Sequence, residues 1–152
     1  VKVIFVPCYL DGNDGIWNMH YYDLILGYDL SVYPSYYEPW GYTPLESIAF
    51  HVPTVTTDLA GFGLWVNSLK GRFSELADGV KVIHRTDYNY SEVADVIKDT
   101  VSDFSALSVA EIKKIRKNAA AIAEKALWKH FIQYYYEAYD IALRNAEKRL
   151  AL

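Results

Sequence analysis

Cysteine occurs once in the 152 residues, at Cys8. A single cysteine closes no intrachain disulfide and builds no cysteine-based zinc site. Positive charge is also in short supply: 15 Lys and Arg against 19 Asp and Glu leave a formal net charge of -4. That balance argues against nucleic acid as a partner, because neutralising phosphates takes a basic face. No apolar run approaches the roughly 18 residues of a membrane helix, which argues against a membrane partner. The sequence as it stands shows no internal repeat and no low-complexity segment, and no secretory leader is expected. The chain opens on Val-Lys-Val-Ile-Phe-Val with no Met. It reads as a piece cut from something longer; a processed small protein is the other reading.

What is present is a globular composition, with 52% hydrophobic and 22% charged residues. The length suits one compact unit over 1–152. Aromatics reach 16%, with 14 Tyr against 6 Phe. Seven of the tyrosines fall between Tyr21 and Tyr42, and four between Tyr134 and Tyr139. Tyrosine buries ring area while offering a hydroxyl, so an excess marks either a polar-ligand surface or a Tyr-rich core. Charge is uneven: residues 1–107 carry 6 basic and 14 acidic side chains, residues 108–152 carry 9 and 5. The tail is therefore a basic helical stretch, a solvated face or an anion site.

The order of elements follows from periodicity and punctuation. Val1–Pro7 reads as a buried strand, and Asp11–Gly15 as a loop. Trp17–Gly27 is expected as a helix ended by Gly27. Leu30–Pro34, Pro53–Thr57 and Val80–His84 read as strands. Thr43–Phe50 is expected as a helix with Thr43 as N-cap, Pro44 at the first helical position and Glu46 closing a capping box. Gly61-Phe-Gly63 opens the connection that follows the Pro53–Thr57 strand. Ser91–Phe104 reads as a helix, and Ser108 with Glu111 forms a capping box for the next. That next helix carries an apolar stripe of Ile112, Ile115, Ala119, Ile122 and Ala126. A last helix spans about Trp128 to Leu150. Short apolar strands alternating with helices imply an α/β fold with a parallel sheet covered on both faces. Ligands of such sheets bind at the carboxyl ends of the strands, which points to residues 35–43.

That segment, Tyr33-Pro-Ser-Tyr-Tyr-Glu-Pro-Trp-Gly-Tyr-Thr-Pro-Leu-Glu46, leaves a strand, turns through Pro and Gly, and enters a helix. Free amides and the positive dipole end then face the loop, a setting for phosphate or pyrophosphate. Glu38 and Glu46 flank it with seven residues between, among several aromatic rings. Aromatics, carboxylates and a helix N-terminus together describe a site for a sugar on a diphosphate. Glu46 has a second reading as a capping residue, Glu38 as an exposed loop acid, and the rings as core. Pattern alone supports an anion or nucleotide site in an α/β fold.

Ser35-Tyr-Tyr-Glu-Pro-Trp-Gly-Tyr-Thr-Pro-Leu-Glu46, then Val52-Pro-Thr-Val-Thr-Thr-Asp-Leu-Ala-Gly-Phe-Gly63, closely resembles the eukaryotic-type glycogen synthase family. The likeness continues in Trp128-Lys129, the run of three tyrosines and Ala138. It implies the second Rossmann-like domain of a two-domain GT-B glycosyltransferase together with its C-terminal helices. The first domain and its basic residues near the donor phosphates lie outside this sequence, so the piece by itself is expected to be inactive.

The resemblance implies roles for individual residues. Glu38 matches the first glutamate of the family's E-x₇-E motif, at the donor glucosyl group. The amides of Trp40 and Gly41 would face sugar hydroxyls. Tyr42 and Thr43 match positions near the diphosphate, and Glu46 the second glutamate, at the ribose. Tyr21, seventeen residues before Glu38, matches a tyrosine that stacks on the base; its other reading is a helix core residue. The implied reaction is retaining glucosyl transfer from UDP-glucose, or ADP-glucose, to the 4-hydroxyl of an α-1,4-glucan. Retaining glycosidases use a carboxylate nucleophile, but here the leaving diphosphate can itself deprotonate the acceptor, which leaves Glu38 an electrostatic and positional role. No Asp-x-Asp pair is present, so no metal and no cofactor are expected. Eukaryotic members carry an arginine-dense helix that binds glucose 6-phosphate. Here only Arg116 matches, with Lys113, Lys114 and Lys117 nearby, so activation is expected to be weak or absent; Lys is a poorer fork for phosphate. The expected partners are the nucleotide sugar, the α-glucan and the missing N-terminal domain, in the cytoplasm, with self-association left open. The competing reading is a noncatalytic carbohydrate-binding module whose Tyr/Trp loop stacks on glucan.

Overall fold

A computed structural model describes residues 2–150. Three short parallel strands form the sheet: β1 (Ser31–Val32), β2 (Thr54–Thr57) and β3 (Val80–Ile83), in that spatial order. Ser31 pairs with Thr54 and Val32 with Val55; Thr54 pairs with Val80 and Thr57 with Ile83. Every residue of β2 is buried, as a central strand between two parallel neighbours requires. Helices α1 (Tyr21–Ile25), α2 (Tyr42–Ala49), α3 (Gly61–Lys70), α4 (Tyr90–Ser105), α5 (Val109–Lys125) and α6 (Trp128–Leu150) complete the chain.

The sheet is covered on both faces. On one, Ile48 of α2, Phe62 and Val66 of α3, and Ala119 and Ile122 of α5 close over Val80 and Val82. On the other, Val93 of α4 packs on Val55 and Ile83, with Val96 and Ile97 alongside. The architecture is thus α/β, consistent with a Rossmann-like glycosyltransferase domain. The α5 stripe turns Ile115, Ala119 and Ile122 inward, while Ile112 and Ala126 are half-buried. Its capping box forms: the Ser108 amide donates to Glu111 Oε2 at 2.8 Å, and Ser108 Oγ accepts from the Glu111 amide. Gly79, at φ 104, lets α5 press against the turn before β3; a Cβ there would collide with the Ala119 backbone.

Three expected elements are absent or shortened, the Leu30–Pro34 strand being cut to the two residues of β1. Residues 2–7 form no strand, and Val3, Ile4 and Phe5 are exposed. The apolar pattern is there, but among the described residues no strand pairs with it, and an unpaired strand is not stable. The Trp17–Gly27 helix is reduced to α1. The Asp14 carboxylate accepts the amides of Ile16, Trp17 and Asn18 at 2.8, 2.6 and 3.0 Å, which fixes a turn in place of a helical start. Those amides, Trp17 foremost, hold the Asp14 carboxyl below its ordinary range. Asn18, at φ 51, then breaks the helical path. The segment opening with Gly61-Phe-Gly63 is not a bare connection; it is the first turn of α3.

Candidate functional site

The loop between β1 and α2 runs along the carboxyl edge of the sheet and is fastened at nearly every step. The Pro34 carbonyl accepts from Arg85 Nη1 at 2.5 Å, and the Ser35 carbonyl from Thr57 Oγ1 at 2.8 Å. The Glu38 amide donates to the Leu59 carbonyl at 3.2 Å; the amides of Gly61 and Phe62 donate to the carbonyls of Glu38 and Trp40 at 3.1 and 2.6 Å. The first turn of α3, whose amides have no helical partners, thereby grips the loop. Two glycines permit this approach. A Cβ on Gly61 would run into the Pro39 carbonyl, and one on Gly63 into the Thr57 carbonyl.

Held in this way, the chain enters α2 through Gly41 at φ 106, a buried position. Glycine adopts that angle without strain, and a Cβ would sit 3.2 Å from Pro44 Cγ. The helix starts at Tyr42, so Gly41 is the N-cap and Thr43 is not. Pro44 lies within the first turn, where its missing N–H is not needed, and no side chain caps the helix. The entry angle imposed by α3 moves the start two residues ahead of the sequence signal. Among the described residues, the amides of Trp40, Gly41, Tyr42 and Thr43 have no acceptor within the chain. Tyr42 and Thr43 are exposed. These donors and the positive end of α2 form a surface suited to an anion.

Glu46, freed from the capping box, accepts a hydrogen bond from the Tyr22 hydroxyl at 2.9 Å. That bond to a carboxylate raises the Tyr22 hydroxyl above its ordinary pKa. Tyr21 lies against Tyr22, ring centroids 5.3 Å apart. Its hydroxyl turns inward to Tyr33 Oη at 3.2 Å, and Tyr33 continues to Ser47 Oγ at 2.7 Å and thence to Ser31. Burial, then the Tyr33 bond, raises the Tyr21 hydroxyl as well. This line of neutral hydroxyls ties α1, β1 and α2 together. Glu38 is half-buried, and among the described residues its carboxylate bonds to no other group. The structure thus gathers Glu38, Trp40, Gly41, Tyr42 and Thr43 along one loop and helix start, with Glu46, Tyr22 and Tyr21 beside them one helical turn on.

The family model for glycogen synthase matches residues 1–149. The chain belongs to the glycogen synthase family. It is 32% identical over 146 residues to glycogen [starch] synthase isoform 1 of Saccharomyces cerevisiae, covering 96% of this chain and 21% of that protein. It is 30% identical over 146 residues to the liver glycogen [starch] synthase of Mus musculus, covering 96% and 20%. The Caenorhabditis elegans glycogen [starch] synthase is 30% identical over 145 residues, covering 95% and 21%. The chain spans about a fifth of the length of these curated relatives.

In this glycogen synthase family member, the basic helix α5 has its one arginine engaged. Arg116 Nη2 donates to the Tyr28 carbonyl at 2.8 Å and to Asp29 Oδ1 at 3.0 Å. Lys113 and Lys117 are exposed and form no ion pair among the described residues. Arg116, Lys113 and Lys117 lie on α5, apart from the E-x₇-E loop. Trp40, Tyr42, Leu45, Trp65, Trp128 and Phe131 line part of an open aromatic cleft of about 490 Å³. No helix among the described residues is long and apolar enough to cross a membrane.

Several residues beside the site were not singled out from the sequence. Tyr22 meets Glu46 only once α1 folds onto α2. Asp58 Oδ1 accepts the Arg85 amide at 2.9 Å, and Oδ2 lies 2.6 Å from His84 Nδ1. These residues directly follow β2 and β3, and a charged residue just past a parallel strand was the available hint.

Proposed function

We propose that this chain is the nucleotide-sugar-binding part of a glycogen synthase-type enzyme. It supports retaining transfer of glucose from a nucleoside diphosphoglucose, UDP-glucose in preference to ADP-glucose, to the 4-hydroxyl of an α-1,4-glucan in the cytoplasm. The observation that carries this reading is the fastened loop: an unbonded Glu38 carboxylate followed by four unpaired amides at the start of α2. In the proposed complex Glu38 faces the glucosyl group, and the Trp40 and Gly41 amides meet its hydroxyls. Tyr42 and Thr43 lie at the diphosphate, whose growing charge in the transition state is met by the helix end. Glu46, oriented by Tyr22, takes the ribose, and Tyr21 offers a ring anchored by its inward hydroxyl to the base.

The remaining part of the enzyme supplies the opposite wall and basic groups for the leaving diphosphate, so residues 1–152 alone are expected to transfer no glucose. The test is full-length enzyme assayed with UDP-glucose and ADP-glucose side by side, in wild type, Glu38→Gln and Glu46→Gln. Loss of transfer in Glu38→Gln and a raised donor KM in Glu46→Gln are expected; unchanged turnover in Glu38→Gln overturns the reading. We also propose that transfer needs no metal, which restored turnover on adding a divalent ion after chelation would refute. Because Arg116 is already bound to Asp29, activation by glucose 6-phosphate is expected to be weak or absent; a several-fold rise in activity would refute that. A second reading, a noncatalytic glucan-binding module, draws on the aromatic cleft. Calorimetry showing glucan binding with no nucleotide-sugar binding would favour it.

A further inference from the structure

We propose that Arg85 is a positioning residue for Glu38, a clamp thrown across the sheet that holds the start of the donor loop; the proposal rests on the transferase reading. Arg85 follows β3, at the far side of the sheet from β1. Its guanidinium reaches past the end of β2 to the Pro34 carbonyl, 51 residues earlier in the chain. Its Cζ also lies 3.5 Å from the centroid of the Tyr36 ring. Pro34 and Tyr36 are the residues four and two before Glu38.

The cost of burying this group shows how directed the arrangement is. Arg85 is only 5% exposed. A buried cation is stabilised ordinarily by a carboxylate, and no ion pair among the described residues includes Arg85. Asp58 binds the Arg85 backbone amide and His84 rather than the guanidinium. Nε is buried with no hydrogen-bond partner. The charge is thus offset by one carbonyl and one π face, and both belong to the donor loop. A residue that served only to fill space beyond β3 would be apolar. Lysine is a poor substitute, because an ammonium has no planar face to lay on Tyr36.

The test uses full-length enzyme. In Arg85→Lys, kcat is expected to fall about tenfold or more, the scale of a small displacement of a reacting group. Donor KM is expected to stay within about twofold, because Tyr21 and Glu46 stand on other elements. Tyr36→Leu, at an exposed ring that tolerates change, removes the stacking face and is expected to lower kcat in the same way. The double variant is expected to lose little more than the worse single one. Hydrogen exchange supplies a readout independent of catalysis: the Glu38 amide is expected to exchange faster in both variants, with the β2 amides unchanged.

Unchanged kcat, or unchanged Glu38 exchange, in folded Arg85→Lys and in Tyr36→Leu overturns the proposal. So does a kcat loss matched by an equal rise in donor KM. If Arg85→Lys does not fold, Tyr36→Leu decides. If wild-type enzyme transfers no glucose from either nucleotide sugar, the transferase reading fails, and the exchange measurement alone decides the clamp.

Discussion

Replacing Gly61 by alanine tests how the donor loop is held. The added Cβ would overlap the Pro39 carbonyl oxygen by roughly 1 Å and sit 3.2 Å from the carbonyl carbon and 3.3 Å from Trp40 Cα. All three are backbone atoms of the loop between Glu38 and Gly41, so no side-chain rotation relieves the clash. The loop or the first turn of α3 must move by about 1 Å. Either movement stretches the bonds from the Gly61 and Phe62 amides to the carbonyls of Glu38 and Trp40. Overpacking of this kind costs about 1–3 kcal/mol of stability. Displacing a reacting group by about 1 Å can cost on the order of a hundredfold in rate. Full-length Gly61→Ala is therefore expected to melt a few degrees lower yet remain folded, with kcat reduced about a hundredfold. The control is Gly27→Ala, where the Cβ would meet only the Leu24 carbonyl at 3.4 Å, an ordinary contact. It is expected to change stability by no more than about 0.5 kcal/mol and to leave kcat intact. A Gly61→Ala enzyme with wild-type kcat would refute the view that close approach of α3 places Glu38.

Other perturbations bear on separate parts of the structure. Tyr22→Phe removes the hydroxyl on Glu46 and is expected to raise donor KM several-fold while sparing kcat; steady-state kinetics with varied donor would show it, and an unchanged KM would separate Tyr22 from the ribose end. Gly63→Ala drives a Cβ into the Thr57 carbonyl and is expected to lower thermal stability by about 1–3 kcal/mol, read by calorimetry. Ser108→Ala opens the α5 capping box and is expected to cost about 1 kcal/mol. The Ser108 hydroxyl, then its amide, holds the Glu111 carboxyl below its ordinary value of 4.5. A depressed carboxyl favours folding above its unfolded pKa, and the contribution fades as pH falls through the lowered native value. The gap between wild type and Ser108→Ala should therefore narrow as acid titration proceeds below about pH 4.5, leaving the part due to the bond from the Glu111 amide to the Ser108 hydroxyl. A gap constant to the lowest pH at which both fold would contradict this.

The parts legible in the sequence were those set by local rules. The α5 capping box and its inward stripe, the valine- and threonine-rich strands, and the E-x₇-E segment as a loop entering a helix are all written in neighbouring residues. What was not legible depends on contacts distant in sequence. Residues 2–7 have a strand's composition but no paired neighbour. Asp14 overrode a helical pattern with three short bonds to amides. Thr43 and Glu46 look like a capping box, but α3 sets the entry to α2 and Glu46 turns to Tyr22. Gly61 and Gly63 read as loop punctuation and proved to be the contact points of a helix. Arg85 is marked in the sequence only by its place just past a strand, because the carbonyl it holds lies 51 positions away.

The aromatic packing behind the donor loop has a spectroscopic consequence. Trp40 lies 5.8 Å from Trp65 and 5.6 Å from Phe131, ring to ring. Trp40 sits between Glu38 and the start of α2, so the emission of this coupled indole pair reports the local environment of the loop directly. Trp17 and Trp128 are exposed, and replacing both by Phe would leave Trp40 and Trp65 as the indole emitters of this chain. Intrinsic fluorescence, without any added dye, then follows the loop in real time when a nucleotide sugar is added.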